Sequence, residues 1–158
     1  MSRLASSPLK RLWRQYCAAL VYGTLLLCAA IGQHRGYGGA CLAAAVSAAA
    51  INGARIGTVV GAAAGWLWDA FAERQTAYHA LLLAALCAVV GMLCDRGRLR
   101  GLTGTLLAAG TAGMVCTAMQ GAVPSLLFWG INVGGALGWT LLFYPVLRRA
   151  RRWLGKSE

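Results

Sequence analysis

The chain has 158 residues, of which 59% are hydrophobic and only 12% charged, against about 45–50% and about 25% in soluble domains. A soluble fold this short has too little interior to hide so much apolar surface, so an ordinary soluble domain is excluded and lipid is the solvent the excess requires. The formal net charge is +11, from 15 Lys+Arg against 4 Asp+Glu, and the cations sit in short clusters between apolar runs, which suits an anionic membrane surface rather than nucleic acid.

The apolar runs predict an all-α fold: a single transmembrane domain over 1–158, a polytopic bundle of six helices at roughly 15–32, 37–53, 56–72, 76–94, 102–121 and 125–147. They are rich in Ala, Leu and Gly and lack the period-two alternation of a membrane β-barrel. Lys10, Arg11 and Arg14 precede the first run as they would in a signal peptide. With further spans to come, the run is read as an uncleaved first helix. The second and third runs are near the lower limit of about 17 residues for a crossing. Only Asn52-Gly53-Ala54-Arg55 separates them. A tight helical hairpin is the simplest reading, and a re-entrant pair is the alternative.

The third run carries Gly57, Gly61 and Gly65 four apart, followed by Asp69. Residues at i and i+4 share a helical face, and a stripe without side chains lets another helix approach to backbone contact. The partner helix lies in this chain or in another. Asp69 falls near the outer end of its run, where it reads either as a solvated carboxylate close to Glu73 and Arg74 or as a polar group ordering the outer face. His34 and His79 are isolated near predicted ends and read as interfacial. Gly91 lies in the fourth run, and Arg96, Arg98 and Arg100 come after it. The sixth run holds a second stripe, Gly130, Gly134 and Gly138. It also holds Asn132, read as a hydrogen-bonding group between helices, then Tyr144 and Pro145 and a basic tail with Arg148, Arg149, Arg151 and Arg152.

With the N-terminus inside, thirteen cationic residues fall on inner segments and two, Arg35 and Arg74, on outer ones. The positive-inside rule then places both ends in the cytoplasm, with an even number of spans. The six cysteines form no C-x-x-C pair and have no histidine at ligand spacing, so they read as small apolar helix residues. No nucleophile–base pattern, phosphate loop or carboxylate pair stands out. The expectation is a protein that is not an enzyme and holds no cofactor and no metal.

The run Gly61-Ala-Ala-Ala-Gly65-Trp-Leu-Trp-Asp69 resembles the G-x-x-x-G-x-x-x-D signature of MreD, the rod-shape-determining membrane protein of bacteria. Ala77-Tyr-His-Ala-Leu81 is similar to that family's next helix, and Gly91 with Asp95-Arg-Gly-Arg is similar to its cytoplasmic turn. Asn132 with Phe143-Tyr144-Pro145 before a basic tail is similar to its C-terminal end. The likeness covers about residues 20 to 153 in length, span number and motif order. It implies a fold similar to the six-helix substrate subunits of energy-coupling-factor transporters. It also implies a non-enzymatic role in the bacterial cytoplasmic membrane, organising sidewall peptidoglycan synthesis. The partners implied are an MreC-type membrane protein, the actin-like MreB, RodA and a penicillin-binding protein. In this setting the arginine clusters would meet anionic lipid or cytoplasmic partners. A vitamin-binding transporter subunit is the alternative, with Asp69, Tyr78, His79 and Gln120 as its polar candidates. A lipid-modifying enzyme is a third reading, without candidate residues.

Overall fold

A computed structural model describes residues 8–35, 38–71, 77–99, 101–119 and 126–155. These residues form six α-helices and no strand: α1 (Pro8–His34), α2 (Ala40–Asn52), α3 (Ala54–Phe71), α4 (Tyr78–Asp95), α5 (Gly101–Ala118) and α6 (Leu126–Gly155). Among the described residues three stretches are long and apolar enough to cross a membrane: Tyr78–Asp95, Gly101–Met119 and Leu126–Trp153. The chain is thus a membrane protein whose described regular structure is all helical. The 18-residue α3 is as long as α4, but Arg55, Asp69 and its glycines dilute its hydropathy. Shorter apolar helices lie at Tyr16–Gly32 and Ala40–Asn52.

Most helix ends lie within a few residues of the apolar runs. The exceptions are charged segments that are nonetheless helical. Pro8 opens α1, a position where its missing N–H is not needed. At the other end of the chain, α6 continues past Leu147 through Arg148–Arg152, because Arg, Ala and Leu are good helix formers whether or not lipid surrounds them. It also runs through Pro145, which removes one backbone bond.

The short α2 is the axis of the bundle. It packs against all five other helices, and every residue from Ala40 to Ala49 is buried. Seven of its 13 residues are Ala, so surrounding helices approach closely. Its 13 residues rise only about 20 Å, less than the roughly 30 Å hydrocarbon layer. A short helix is tolerated there because its ends meet protein rather than lipid. At its start, Gly39 has φ 78°, and a Cβ on it would lie 2.6 Å from the backbone N of Ala136 in α6. At its end, Gly53 has φ 82° and is the single residue joining α2 to α3. Both positions need glycine, one for close approach as well as handedness.

The hydroxyls buried in this apolar interior are mostly satisfied within their own helices. Thr105, Thr117 and Thr140 each donate to the carbonyl four residues back, at 2.9, 2.7 and 2.7 Å. Ser47 is the exception, buried without a partner among the described residues.

If α2 is the packed axis, added volume there is costly. Ala45→Leu should destabilise the protein by about 1–3 kcal/mol or more, read by chemical unfolding in mild detergent. Ala70→Leu, on the exposed side of α3, should stay within about 0.5 kcal/mol.

Candidate functional site: a glycine seam closed by two carboxylates

The closest helix pair is α3 and α4, which run antiparallel. The stripe of α3 lies directly on the backbone of α4. A Cβ at Gly65 would fall 2.2 Å from the carbonyl oxygen of His79, and one at Gly61 would fall 2.6 Å from that of Leu83. Gly57 fits between Ala49 of α2 and Cys87 of α4, with Ala49 Cβ 2.6 Å from the added atom. From the other side, a Cβ at Gly91 would lie 2.4 Å from Ala54 Cα. His79, Leu83, Cys87 and Gly91 are all buried and spaced by four, so each helix offers one face of the same period. Backbone contact over this length is what small residues permit in lipid, where apolar side chains gain nothing by leaving the solvent.

A carboxylate closes each end of the seam. Asp69, near the C-terminus of α3, is only 3% exposed. It accepts the backbone N–H of His79 at 2.9 Å and of Ala80 at 3.2 Å, and its other oxygen takes His79 Nδ1 at 2.6 Å. These N–H groups belong to the first turn of α4, which has no intrahelical acceptor for them. At the opposite end, Asp95 of α4 accepts the N–H of Ala54, the first residue of α3, at 3.1 Å. Each helix thus ends in a carboxylate that caps the start of the other. A carboxylate is unfavourable at the negative end of its own helix and favourable at the positive end of its neighbour, so the arrangement selects the antiparallel pairing.

The two ends share a sequence spacing. Gly65-Trp-Leu-Trp-Asp69 and Gly91-Met-Leu-Cys-Asp95 are both G-x-x-x-D. The glycine admits the partner's first turn, and the aspartate one turn later caps it. The two ends differ in burial, since Asp95 is exposed. At the buried end Asp69 Oδ1 and His79 Nδ1 share one hydrogen bond. The imidazole is stacked on Trp68 with centroids 4.4 Å apart, and Tyr78 meets its edge at 5.3 Å. Its Nε2 is buried without a partner among the described residues.

Asp69 is therefore not a solvated carboxylate, and His79 is not isolated: both are buried and paired with each other. Asn132 also differs from expectation. Its amide donates to Phe128 of its own helix at 3.0 Å, while its Oδ1 sits against Gly38 of the turn before α2. Asn52, for which the sequence allows the same role, does bond between helices, donating to the Tyr22 hydroxyl of α1.

The second glycine stripe behaves oppositely to the first. A Cβ at Gly130, Gly134 or Gly138 would meet nothing within 4 Å, so the stripe is open to its surroundings. It shares the outward face of α6 with Leu127, Ile131 and Leu141, and Pro145 continues it. The basic residues Arg148, Arg149, Arg151 and Arg152 come next on the same helix, at the end of the bundle that also holds Asp95 with Arg96 and Arg98 after it. Arg100, like Glu73, Arg74 and Gln120, lies outside the described residues. Among the described residues no cluster of His, Cys, Asp and Glu could hold a metal ion, and the six cysteines are unpaired. The reciprocal use of Asp95 is not apparent from sequence alone; the repeated G-x-x-x-D spacing is its signal. No family model, characterised protein or solved structure matches this chain.

Removing one member of the buried pair should be costly and non-additive. Asp69→Ala should lose about 3–5 kcal/mol. The double variant Asp69→Ala/His79→Ala should lose at least about 1 kcal/mol less than the sum of the single losses, measured by unfolding in detergent. Gly65→Leu, placed against backbone, should fail to give a stable monomer in the same assay.

Proposed function

We propose that this chain is a non-enzymatic membrane subunit of the MreD type, which organises sidewall peptidoglycan synthesis through contacts with partner membrane proteins. In this reading all six helices cross the bacterial cytoplasmic membrane, and both termini lie in the cytoplasm. The fold is then of the kind seen in substrate subunits of energy-coupling-factor transporters. The G-x-x-x-G-x-x-x-D run of residues 61–69 carries the family resemblance. The observation that favours an interaction role is the contrast between the two glycine stripes. One is closed within the chain by α4. The other is open on α6, where a single crossing helix of an MreC-type partner has room to reach backbone contact.

The basic end of the bundle faces the cytoplasm in this orientation. There Arg96, Arg98 and the α6 arginines are placed to meet MreB, or the cytoplasmic segments of RodA and the penicillin-binding protein. The transporter alternative draws less support. It needs polar groups free to hold a ligand near the Asp69 end, and Asp69 is already engaged in three hydrogen bonds.

The test is co-purification from native membranes in mild detergent. The wild-type chain should bring down wall-elongation partners. Gly134→Leu should keep its thermal stability, because the new side chain meets open space, yet should reduce recovery of the MreC-type protein at least several-fold. Recovery of no such partner with the wild-type chain, or undiminished recovery with Gly134→Leu, would count against the proposal.

A further inference from the structure

The basic end of the bundle contains a cavity of about 580 Å³ between α2, α5 and α6. Three arginines line it, Arg148, Arg151 and Arg152, together with Tyr144, Ile51 and Gly101. The two described carboxylates, Asp69 and Asp95, are not among its lining residues, and no ion pair to these arginines occurs among the described residues. Three like charges around one cavity repel each other unless an anion joins them.

The site is built rather than incidental. Arg151 donates to the carbonyl of Ile51, one of the last carbonyls of α2, which fixes its guanidinium at the wall and leaves further N–H donors available. Tyr144 is 8% exposed, and its hydroxyl has no hydrogen-bond partner among the described residues. Gly101 is the first residue of α5, so the positive end of that helix opens on the same space. Ile51 and the aliphatic stems of the arginines supply an apolar side. The cavity lies where α6 passes from its apolar segment into its arginine run, which is the depth of lipid headgroups.

We propose that this cavity binds the phosphate of an anionic glycerophospholipid. Arg148 and Arg152 contact the phosphate oxygens, and Tyr144 donates its hydroxyl. Guanidinium groups suit phosphate because their paired N–H groups match its oxygens. The site rests on the membrane character of the chain and not on the identity of its protein partners.

The test uses the full chain in detergent, titrated with phosphatidylglycerol, with phosphatidylcholine and with inorganic phosphate, and read by native mass spectrometry. Phosphatidylglycerol should bind at least about 10-fold more tightly than phosphatidylcholine. The double variant Arg148→Gln/Arg152→Gln should lose about 10-fold or more of that affinity, while its thermal stability stays unchanged. Arg96→Gln/Arg98→Gln removes the same charge from the same end of the bundle and should change affinity less than about 2-fold. Tyr144→Phe should weaken binding about 3-fold or more, the loss of one hydrogen bond to a charged group. Equal losses in the two double variants would reduce the effect to diffuse charge and overturn the site. Equal binding of the two lipids would also overturn it. Inorganic phosphate binding as tightly as phosphatidylglycerol would show a soluble-anion site and refute the lipid.

Discussion

Backbone contact between α3 and α4 is the constraint on which the rest of the structure depends. Helices in lipid gain little from hiding apolar side chains, so close packing and polar bonds must hold them together. Gly57, Gly61, Gly65 and Gly91 remove the side chains that would keep the two backbones apart. Once they are this close, the N-terminal turn of each lies beside the C-terminal turn of the other. The orphan N–H groups at the buried turn, those of His79 and Ala80, cannot be left bare in an apolar setting. Asp69 meets them, and Asp95 meets that of Ala54 at the other turn, so close approach and polar satisfaction are solved by the same repeated spacing.

The other features build on this pair. Gly53 folds α2 back along α3 while Asp95 holds the first turn of α3 beside it. With α3 and α4 fixed on one side, α2 becomes an axis that α1, α5 and α6 enclose. The turn at Gly38 and Gly39 presses into α6 at Asn132 and Ala136, which fixes the inward face of that helix. The opposite face, with Gly130, Gly134 and Gly138, is therefore turned outward. The surface proposed for a partner is a consequence of how the bundle closes. Arg151 reaching Ile51 fastens the other end of α6 to the axis and shapes the basic cavity.

Helix number and most helix ends are legible in the sequence because apolar length and Gly or charged breaks mark them directly. Facing is not. In water a helix shows which side is buried by an apolar stripe. In lipid both sides are apolar, and α4 has Leu81 exposed and Leu83 buried within one turn. For the same reason the two glycine stripes look alike in sequence, though one is closed and the other open. Asp69 is ambiguous there because its position near a helix end fits a solvated carboxylate as well as a cap. Only the fold brings His79, ten residues on, to its side. The extent of α6 is hidden by its arginines, which end an apolar run without ending a helix. The central place of α2 is equally hidden: thirteen mostly small residues say that close packing is possible, not that five helices use it.

The α3–α4 seam can be tested by giving one methyl group to each glycine stripe. A Cβ at position 61 would fall 2.6 Å from the backbone carbonyl oxygen of Leu83, whereas one at position 138 would meet nothing within 4 Å. Gly61→Ala should therefore lower the unfolding midpoint in mild detergent, while Gly138→Ala should leave it unchanged or raise it, since alanine is the better helix former. Equal midpoints for the two variants, or a Gly61→Ala chain as stable as the parent, would contradict the seam and the architecture built on it.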